Sequence, residues 1–439
     1  MTTPDDQSLT GIRGWLSNAQ APIFGLYAVF AAFSTYFCMY AFRKPFSAAS
    51  YTGQGFVFGE KELQMKTALV ISQIVGYFLS KVIGTKLCSE AKPESRIRWL
   101  MGLILAAEAA LLLFAVVPPP LKLVAIFLNG LPLGMVWGMV VLYLEGRRTS
   151  EILLAGLSCA FIVASGVVKA MGKMLLNNGI SEFWMPCAVG AIFLVPFFIS
   201  AWLLNQIPQP SLADQAERTE RKPMSKAERW AFFRQFRAGL VMLLLAYFFV
   251  TAYRDYRDNY MPDILTGLGY DKESVATLLA TTELWVGFGV MGTLSLLFLV
   301  RNNRWGFIGA YSIMIFGCLL LGGGTWMFRK GMIGGEAWII ATGLGGYLTY
   351  VPFGSVLFDR LIAATNVVAT AVYAIYIADA TGYLGSIFVQ VYKDFYASGS
   401  TRVDFFVQFN YFMTITGALL LGVSLVYFLG KIGGSRKSP

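Results

Sequence analysis

The sequence predicts an all-α membrane protein with twelve transmembrane helices arranged as two six-helix bundles. Three observations carry that prediction. Of the 439 residues 56% are apolar and only 14% charged, with a mean hydropathy of +0.60, whereas soluble domains run near a quarter charged. Apolar runs of about 20 residues, enough to cross roughly 30 Å of hydrocarbon, recur along nearly the whole chain. A basic, proline-containing stretch divides these runs into two sets of six.

The first set is expected near residues 22–44, 65–87, 98–117, 121–143, 151–172 and 183–205. Residues 206–237 interrupt it with Pro208, Pro210 and Pro223 and with Arg218, Arg221, Lys222, Lys226, Arg229, Arg234 and Arg237, and read as a cytoplasmic linker with a short amphipathic helix over 226–236. The second set is expected near 238–256, 274–300, 305–327, 335–357, 364–391 and 406–430. The domain plan is therefore an N-terminal bundle over 1–205, the linker over 206–237 and a C-terminal bundle over 238–439. Counted over the loops, Lys and Arg number about twenty on one side and about nine on the other, which by the positive-inside rule puts both termini in the cytoplasm.

The net charge of +10 is spread over short loops without interleaved aromatics, so nucleic acid is not the expected partner. There is no histidine, which removes the commonest general base, metal ligand and neutral-pH proton shuttle together. Cys38, Cys88, Cys159, Cys187 and Cys318 lack metal spacing and read as small apolar side chains. Asp5 and Asp6 precede the first apolar run, unlike a cleavable signal, so the first helix is expected to stay. No catalytic centre, metal site or cofactor is predicted. GVVKAMGK (166–173) has one residue too many for a P-loop and Met174 where Ser or Thr should follow. GFGVMG (287–292) has no strand before it and reads as small residues for close helix packing.

Ionisable residues in or beside apolar spans are functional candidates by default. They are Arg43, Lys44, Lys81, Glu108, Arg254, Asp255, Glu283 and Asp379. Arg43 and Arg254 are expected to end the first helix of their respective halves. Either both snorkel to headgroups, or one arginine from each half forms a two-pronged anion clamp, each guanidinium offering a planar fork suited to phosphate or carboxylate. Rocking of the halves would make and break that clamp. Lys81 lies four residues after Tyr77, on the same helix face, and either adds positive charge to the cavity or snorkels. Glu283 and Asp379, the latter four residues before Tyr383, are expected as resting counter-ions of the arginines or as structural ion pairs. Glu108, isolated in an Ala-rich helix, reads as protonated or hydrogen-bonded.

Two six-helix bundles joined by a charged loop resemble the plan of the major facilitator superfamily, whose binding site lies at the membrane midplane. Within it the chain resembles a divergent member of the organophosphate:phosphate antiporters, the glycerol-3-phosphate and hexose-phosphate transporter group. YAFRKPF (40–46), with Tyr36 before it, is similar to that family's Tyr-x-x-Arg-Lys-x-Phe, and YFLSKVIG (77–84) to its Tyr-x-x-Ser-Lys-Phe. The Arg254 to Pro262 spacing is similar to that of its seventh helix, which favours Arg254 over Arg257, while Tyr350-Val351-Pro352 and the Gly382-Tyr383-Leu384-Gly385 run fit two shorter patterns. The chain departs from the family at Phe161, where a histidine stands, at Thr251, where a tyrosine stands, and in the loop GTKLCSEAKPESR (84–96).

The resemblance implies a monomeric secondary transporter of the bacterial-type inner membrane, exchanging a small organophosphate for phosphate by alternating access. Its partners would be an anionic substrate and membrane lipid. It implies substrate contacts at Arg43, Lys44, Arg254, Lys81, Tyr36, Tyr40, Tyr77, Tyr350 and Tyr383, with Glu283 and Asp379 as counter-ion or coupling groups. Two other readings remain: a proton-coupled transporter in which Glu283 or Asp379 titrates, and a membrane sensor of a phosphorylated metabolite without flux.

Overall fold

The computed structural model describes residues 11–90, 92–145, 147, 150–210, 226–300, 302–365 and 371–434. Residues 211–225 of the expected linker, with Arg218, Arg221, Lys222 and Pro223, lie outside them. Fifteen α-helices, three short 3₁₀ turns and one two-stranded hairpin make up the described elements. Among the described residues ten helices are long and apolar enough to cross a membrane, and eleven if a pair bent by 49° counts as one span. The remaining expected segment is occupied by a 25-residue helix, Ala371–Phe395. The chain is a multi-pass helical membrane protein.

By Cα proximity the chain divides into two compact units, Met1–Phe46 with Ser72–Glu220, and Ser47–Ile71 with Arg221–Pro439. The first unit holds α1 (Gly11–Ser17), α2 (Ala21–Met39), most of α3 (Met65–Glu90), α4 (Arg96–Val116), α5 (Pro119–Leu144), α6 (Ser150–Asn177) and α7 (Met185–Asn205). Helix α2 starts with a proline in its first turn, where the missing N–H costs nothing, and tightens into a 3₁₀ turn over Tyr40–Phe42. Small residues let α3 and α5 approach closely: a Cβ on Gly76 would lie 2.3 Å from Phe127 O, and one on Gly130 2.6 Å from Gln73 O. The run 166–173 is internal to α6, with Lys169 buried, so no phosphate loop exists there.

The second unit holds α8 (Lys226–Gln235), α9 (Arg237–Gly267), α10 (Lys272–Phe298), α11 (Asn303–Arg329), α12 (Gly335–Ser355), α13 (Leu357–Thr365), α14 (Ala371–Phe395) and α15 (Arg402–Gly434). Helix α9 packs on α14 and α15, α11 on α12 and α15, and α10 on α12. The amphipathic α8 buries Phe232, and just beyond its end Phe236 is buried too, its ring 5.9 Å from that of Phe428. Asp271 caps α10 by accepting from the Glu273 and Ser274 N–H groups, and the Ser274 bonds above all hold its carboxyl below the usual carboxylate range. Within 287–292, Gly289 packs against Leu344, whereas a Cβ on Gly292 would meet nothing within 4 Å. A Cβ on Gly385 would fall 2.2 Å from Phe248 O, so Gly382-Tyr383-Leu384-Gly385 is where α14 closes on α9.

Two features differ from expectation. Helix α9 does not stop near residue 256 but continues for 31 residues to Gly267, with Pro262 inside it. Arg254 is therefore a mid-helix residue, because the charges of Arg254, Asp255 and Arg257 find partners inside the protein and the helix need not reach water there. The segment 47–71 also belongs to the second unit. It carries a hairpin, β1 (Gly55–Phe58) and β2 (Lys61–Gln64), turned by Gly59 at φ +65°. Lys66 Nζ lies 2.5 Å from Asp263 Oδ2, and the other oxygen of that carboxylate accepts from Ser50 Oγ at 2.9 Å. Arg402 stacks 4.1 Å over Tyr260, pairs with Asp394 at 3.2 Å and donates to Gln64. Tyr260 and Thr67 hydroxyls meet at 2.8 Å. These polar contacts join residues too far apart in sequence for their pairing to be read from spacing.

Candidate functional site

In the first unit, the end of α2 frees backbone carbonyls that a helix no longer satisfies. Two buried amides take them. Asn129 of α5 donates to Phe42 O at 3.0 Å and Ala107 O at 3.1 Å, while Gln73 of α3 donates to Arg43 O and to Asn129 Oδ1, both at 2.9 Å. Arg43 follows directly on that held backbone, and its guanidinium carbon rests 4.0 Å from the centroid of Tyr77 and 5.6 Å from that of Tyr40. The Tyr40 ring meets Tyr36 edge-on at 5.6 Å, and Tyr36 meets Trp137 at 4.8 Å. Lys81 Nζ lies 5.8 Å from the Tyr77 centroid, and Lys44 is buried. Arg43, Tyr36, Tyr40, Tyr77 and Lys81 are thus one cluster. Cation–π contact with a desolvated tyrosine stabilises a guanidinium by about 0.5–2 kcal/mol and orients it.

In the second unit, Arg254 lies 4.1 Å over the ring of Tyr350 on α12. Tyr350 stacks on Tyr247 at 5.6 Å, whose hydroxyl donates to Asp379 Oδ1 at 2.7 Å. The carboxylate on Arg254 is that of its own neighbour: Nη2 and Nε donate to Asp255 Oδ1 at 2.5 and 3.1 Å. Adjacent side chains on a helix diverge, so this pair requires the long arginine to curl back. Asp255 is itself held from α14, where Ser386 Oγ donates to its Oδ2 at 2.6 Å. Tyr383 is buried three residues earlier on that helix.

Glu283 does not hold Arg254. It pairs with Arg257 at 2.7 Å, both side chains almost fully buried, and Arg257 Nη2 also donates to Ile339 O. Arg257 lies three residues beyond Arg254 and therefore nearly one turn along α9, which brings it to α10 and α12. Asp379 is linked to Arg254 indirectly, through Tyr247 and Tyr350. In the first unit Glu108 accepts from Cys187 Sγ at 3.3 Å, with Gly190 making room for its carboxyl.

Sequence reading missed Gln73, Asn129, Tyr247 and Ser386, and gave Asp255 no role. A signal existed for the amides, since Gln73 and Asn129 stand in otherwise apolar stretches. None existed for Tyr247 or Ser386 in a chain with 21 tyrosines.

Four free cysteines, Cys38, Cys159, Cys187 and Cys318, occur among the described residues. Among those residues no group of three or more Cys, Asp or Glu side chains is arranged to hold a metal.

Comparison with known proteins agrees on architecture. Among solved structures, a crystal structure of a D-xylose-proton symporter superposes with a TM-score of 0.63 at 13% sequence identity, covering 91% of this chain and 96% of that one. The fold is the all-α major facilitator fold. No curated protein matches the sequence. Over residues 45–431 the sequence matches the model of a family of unknown function, DUF5690, and the chain belongs to that family.

Proposed function

We propose that the protein is a secondary active transporter of a small organic anion, an organophosphate exchanged for phosphate, working by alternating access in a bacterial-type inner membrane with both termini in the cytoplasm. One observation carries this reading: each unit places an arginine at or in its first long apolar helix against a tyrosine ring, Arg43 on Tyr77 and Arg254 on Tyr350. Stacking on a ring orients the guanidinium, and its planar fork suits a planar or tetrahedral anion. Lys81 and Lys44 add positive charge in the first unit, and Tyr36, Tyr40, Tyr350 and Tyr383 supply hydroxyls.

Exchange has a rival in proton coupling, which the likeness to a proton symporter and the carboxylates near Arg254 favour. The deciding experiment loads proteoliposomes with phosphate and follows counterflow of labelled phosphate and phosphate esters. Arg43→Lys and Arg254→Lys keep the charge and lose the fork. Each is expected to cut counterflow at least tenfold. Unchanged counterflow in both would overturn the two-arginine reading, and ligand binding without counterflow in the wild type would point to a sensor.

A further inference from the structure

Arg254 already has a carboxylate on it. Asp255 takes both Nε and Nη2, so an anion approaching Arg254 meets a guanidinium whose charge is locally cancelled. Two anions sharing one buried guanidinium repel in a medium of low dielectric. The arrangement at Asp255 Oδ2 offers a way out. Its partner is the Ser386 hydroxyl at 2.6 Å, and a serine hydroxyl either donates to a carboxylate or accepts from a carboxylic acid. Rotation of one O–H bond lets the site keep this hydrogen bond in both protonation states.

We propose that anion binding at Arg254 is coupled to uptake of one proton by Asp255, making Asp255 the proton-carrying residue of the transporter. The inference rests on Arg254 being an anion ligand. The balance is simple: a proton from the medium joins Asp255 Oδ2, Ser386 turns from donor to acceptor, and Arg254 exchanges the carboxylate for the incoming anion. Protonation without an anion would take the charge partner from Arg254, and an anion without a proton would leave two negative charges on it, so each event promotes the other.

Several charged and titratable groups surround Asp255. On α9 itself stand Arg254, Asp258 and Arg257, the last bound to Glu283 of α10. Helix α12 brings Tyr347 and Tyr350, α14 brings Ser386 and, through Tyr247, Asp379. Helix α15 carries Arg402, paired with Asp394, and α8 carries the exposed Arg234. Protonating Glu283 would strip Arg257 of its carboxylate and leave it the Ile339 carbonyl, a neutral acceptor for a buried charge.

The test adds inorganic phosphate to purified full-length protein in weakly buffered detergent solution with a pH indicator and measures phosphate affinity over roughly pH 5.5 to 8.5. The titration of free phosphate is common to all variants and cancels in the comparison, and repeating the measurement with sulfate, which carries no titrating proton in this range, separates a proton on Asp255 from one on the bound anion. The wild type is expected to take up close to one proton more per bound phosphate than Asp255→Asn, and its affinity to fall by about tenfold per pH unit relative to that variant above the midpoint. Equal proton uptake in the two proteins would overturn the inference while leaving Arg254 as a ligand. Absence of phosphate binding to the wild type would overturn the ligand reading and this inference with it. Should Asp255→Asn not fold, Ser386→Ala decides: the serine bond to the charged carboxylate is stronger than its bond to the neutral acid, so its removal is expected to move the midpoint of proton uptake to higher pH. An unmoved midpoint would overturn the role of Asp255.

Discussion

Arg43 and Arg254 close or occupy the first long apolar helix of their units, yet they are held by different means. Arg43 sits where α2 ends, and its position is set through the backbone by Gln73 and Asn129, which hold the Arg43 and Phe42 carbonyls. Arg254 sits inside α9, whose backbone bonds are internal, and its position is set through side chains, by Asp255, Tyr350 and behind them Ser386 and Tyr247. A helix-end arginine inherits its geometry from whatever satisfies the open carbonyls. A mid-helix arginine must find all of its partners on neighbouring helices or curl onto its own.

The largest expected effect separates Arg254 from its near neighbour. Glu283→Ala should leave the buried Arg257 without its carboxylate and destabilise the protein by about 3–5 kcal/mol, read as a lowered unfolding midpoint in detergent. Arg254→Ala, which leaves Asp255 its hydrogen bond from Ser386, should lower that midpoint less while abolishing phosphate counterflow. If the two variants behave alike, the division between a structural Arg257 and a ligand Arg254 fails.

Next comes the contrast between backbone and side-chain support. Asn129→Ala removes donors to Phe42 O and Ala107 O and should cost about 1–3 kcal/mol for the buried carbonyls left open. It should also weaken counterflow as strongly as Arg43→Lys, because Phe42 next to Arg43 loses its hold and Gln73, which holds the Arg43 carbonyl, loses its bond to Asn129 Oδ1. Ser386→Ala leaves the backbone of α9 bonded and should alter the pH profile of phosphate binding with a smaller loss of stability.

The smallest effect is on the aromatic platforms. Tyr77→Phe and Tyr350→Phe keep the ring beneath each arginine, whereas Tyr77→Leu and Tyr350→Leu remove it, at about 0.5–2 kcal/mol of cation–π stabilisation. Phosphate affinity measured for the four should separate ring from hydroxyl. If Phe weakens binding as much as Leu in one unit only, the hydroxyl acts there and the platforms are not equivalent.

How much of this is readable beforehand varies with the range of the interaction. YAFRKPF (40–46) announces Arg43, and the four-residue step from Tyr77 to Lys81 puts those two on one helix face, because motif and helical spacing are local. Glu283 stands out correctly as a buried acid, but sequence reasoning assigns it to the wrong arginine. Its real partner, Arg257, is chosen by which part of α9 meets α10, since three residues along a helix move a side chain about 4.5 Å along the axis and turn it by about 60°. Asp255 is visible as an intramembrane charge, but pairing with its immediate neighbour contradicts the usual divergence of adjacent side chains and had to be seen. The grouping of residues 47–71 with the second unit depends on Lys66 reaching Asp263 and Arg402 reaching Gln64, pairs separated by most of the chain between the two units' sequence segments.

By itself the sequence determined the solvent and the architecture, since apolar runs of membrane length and their division into two sets of six follow from transfer free energies that each segment carries alone. It also singled out some of the ionisable residues that are buried at a cost and so must have partners, Asp255 and Glu283 among them, but not Arg257. Tertiary structure alone decided who those partners are: Arg257 for Glu283, Asp255 for Arg254, and Gln73 and Asn129 for the open end of α2. The reason is physical. Burial cost is a property of one side chain, whereas its compensation depends on two groups meeting within about 3 Å, and only the packing of helices fixes that distance.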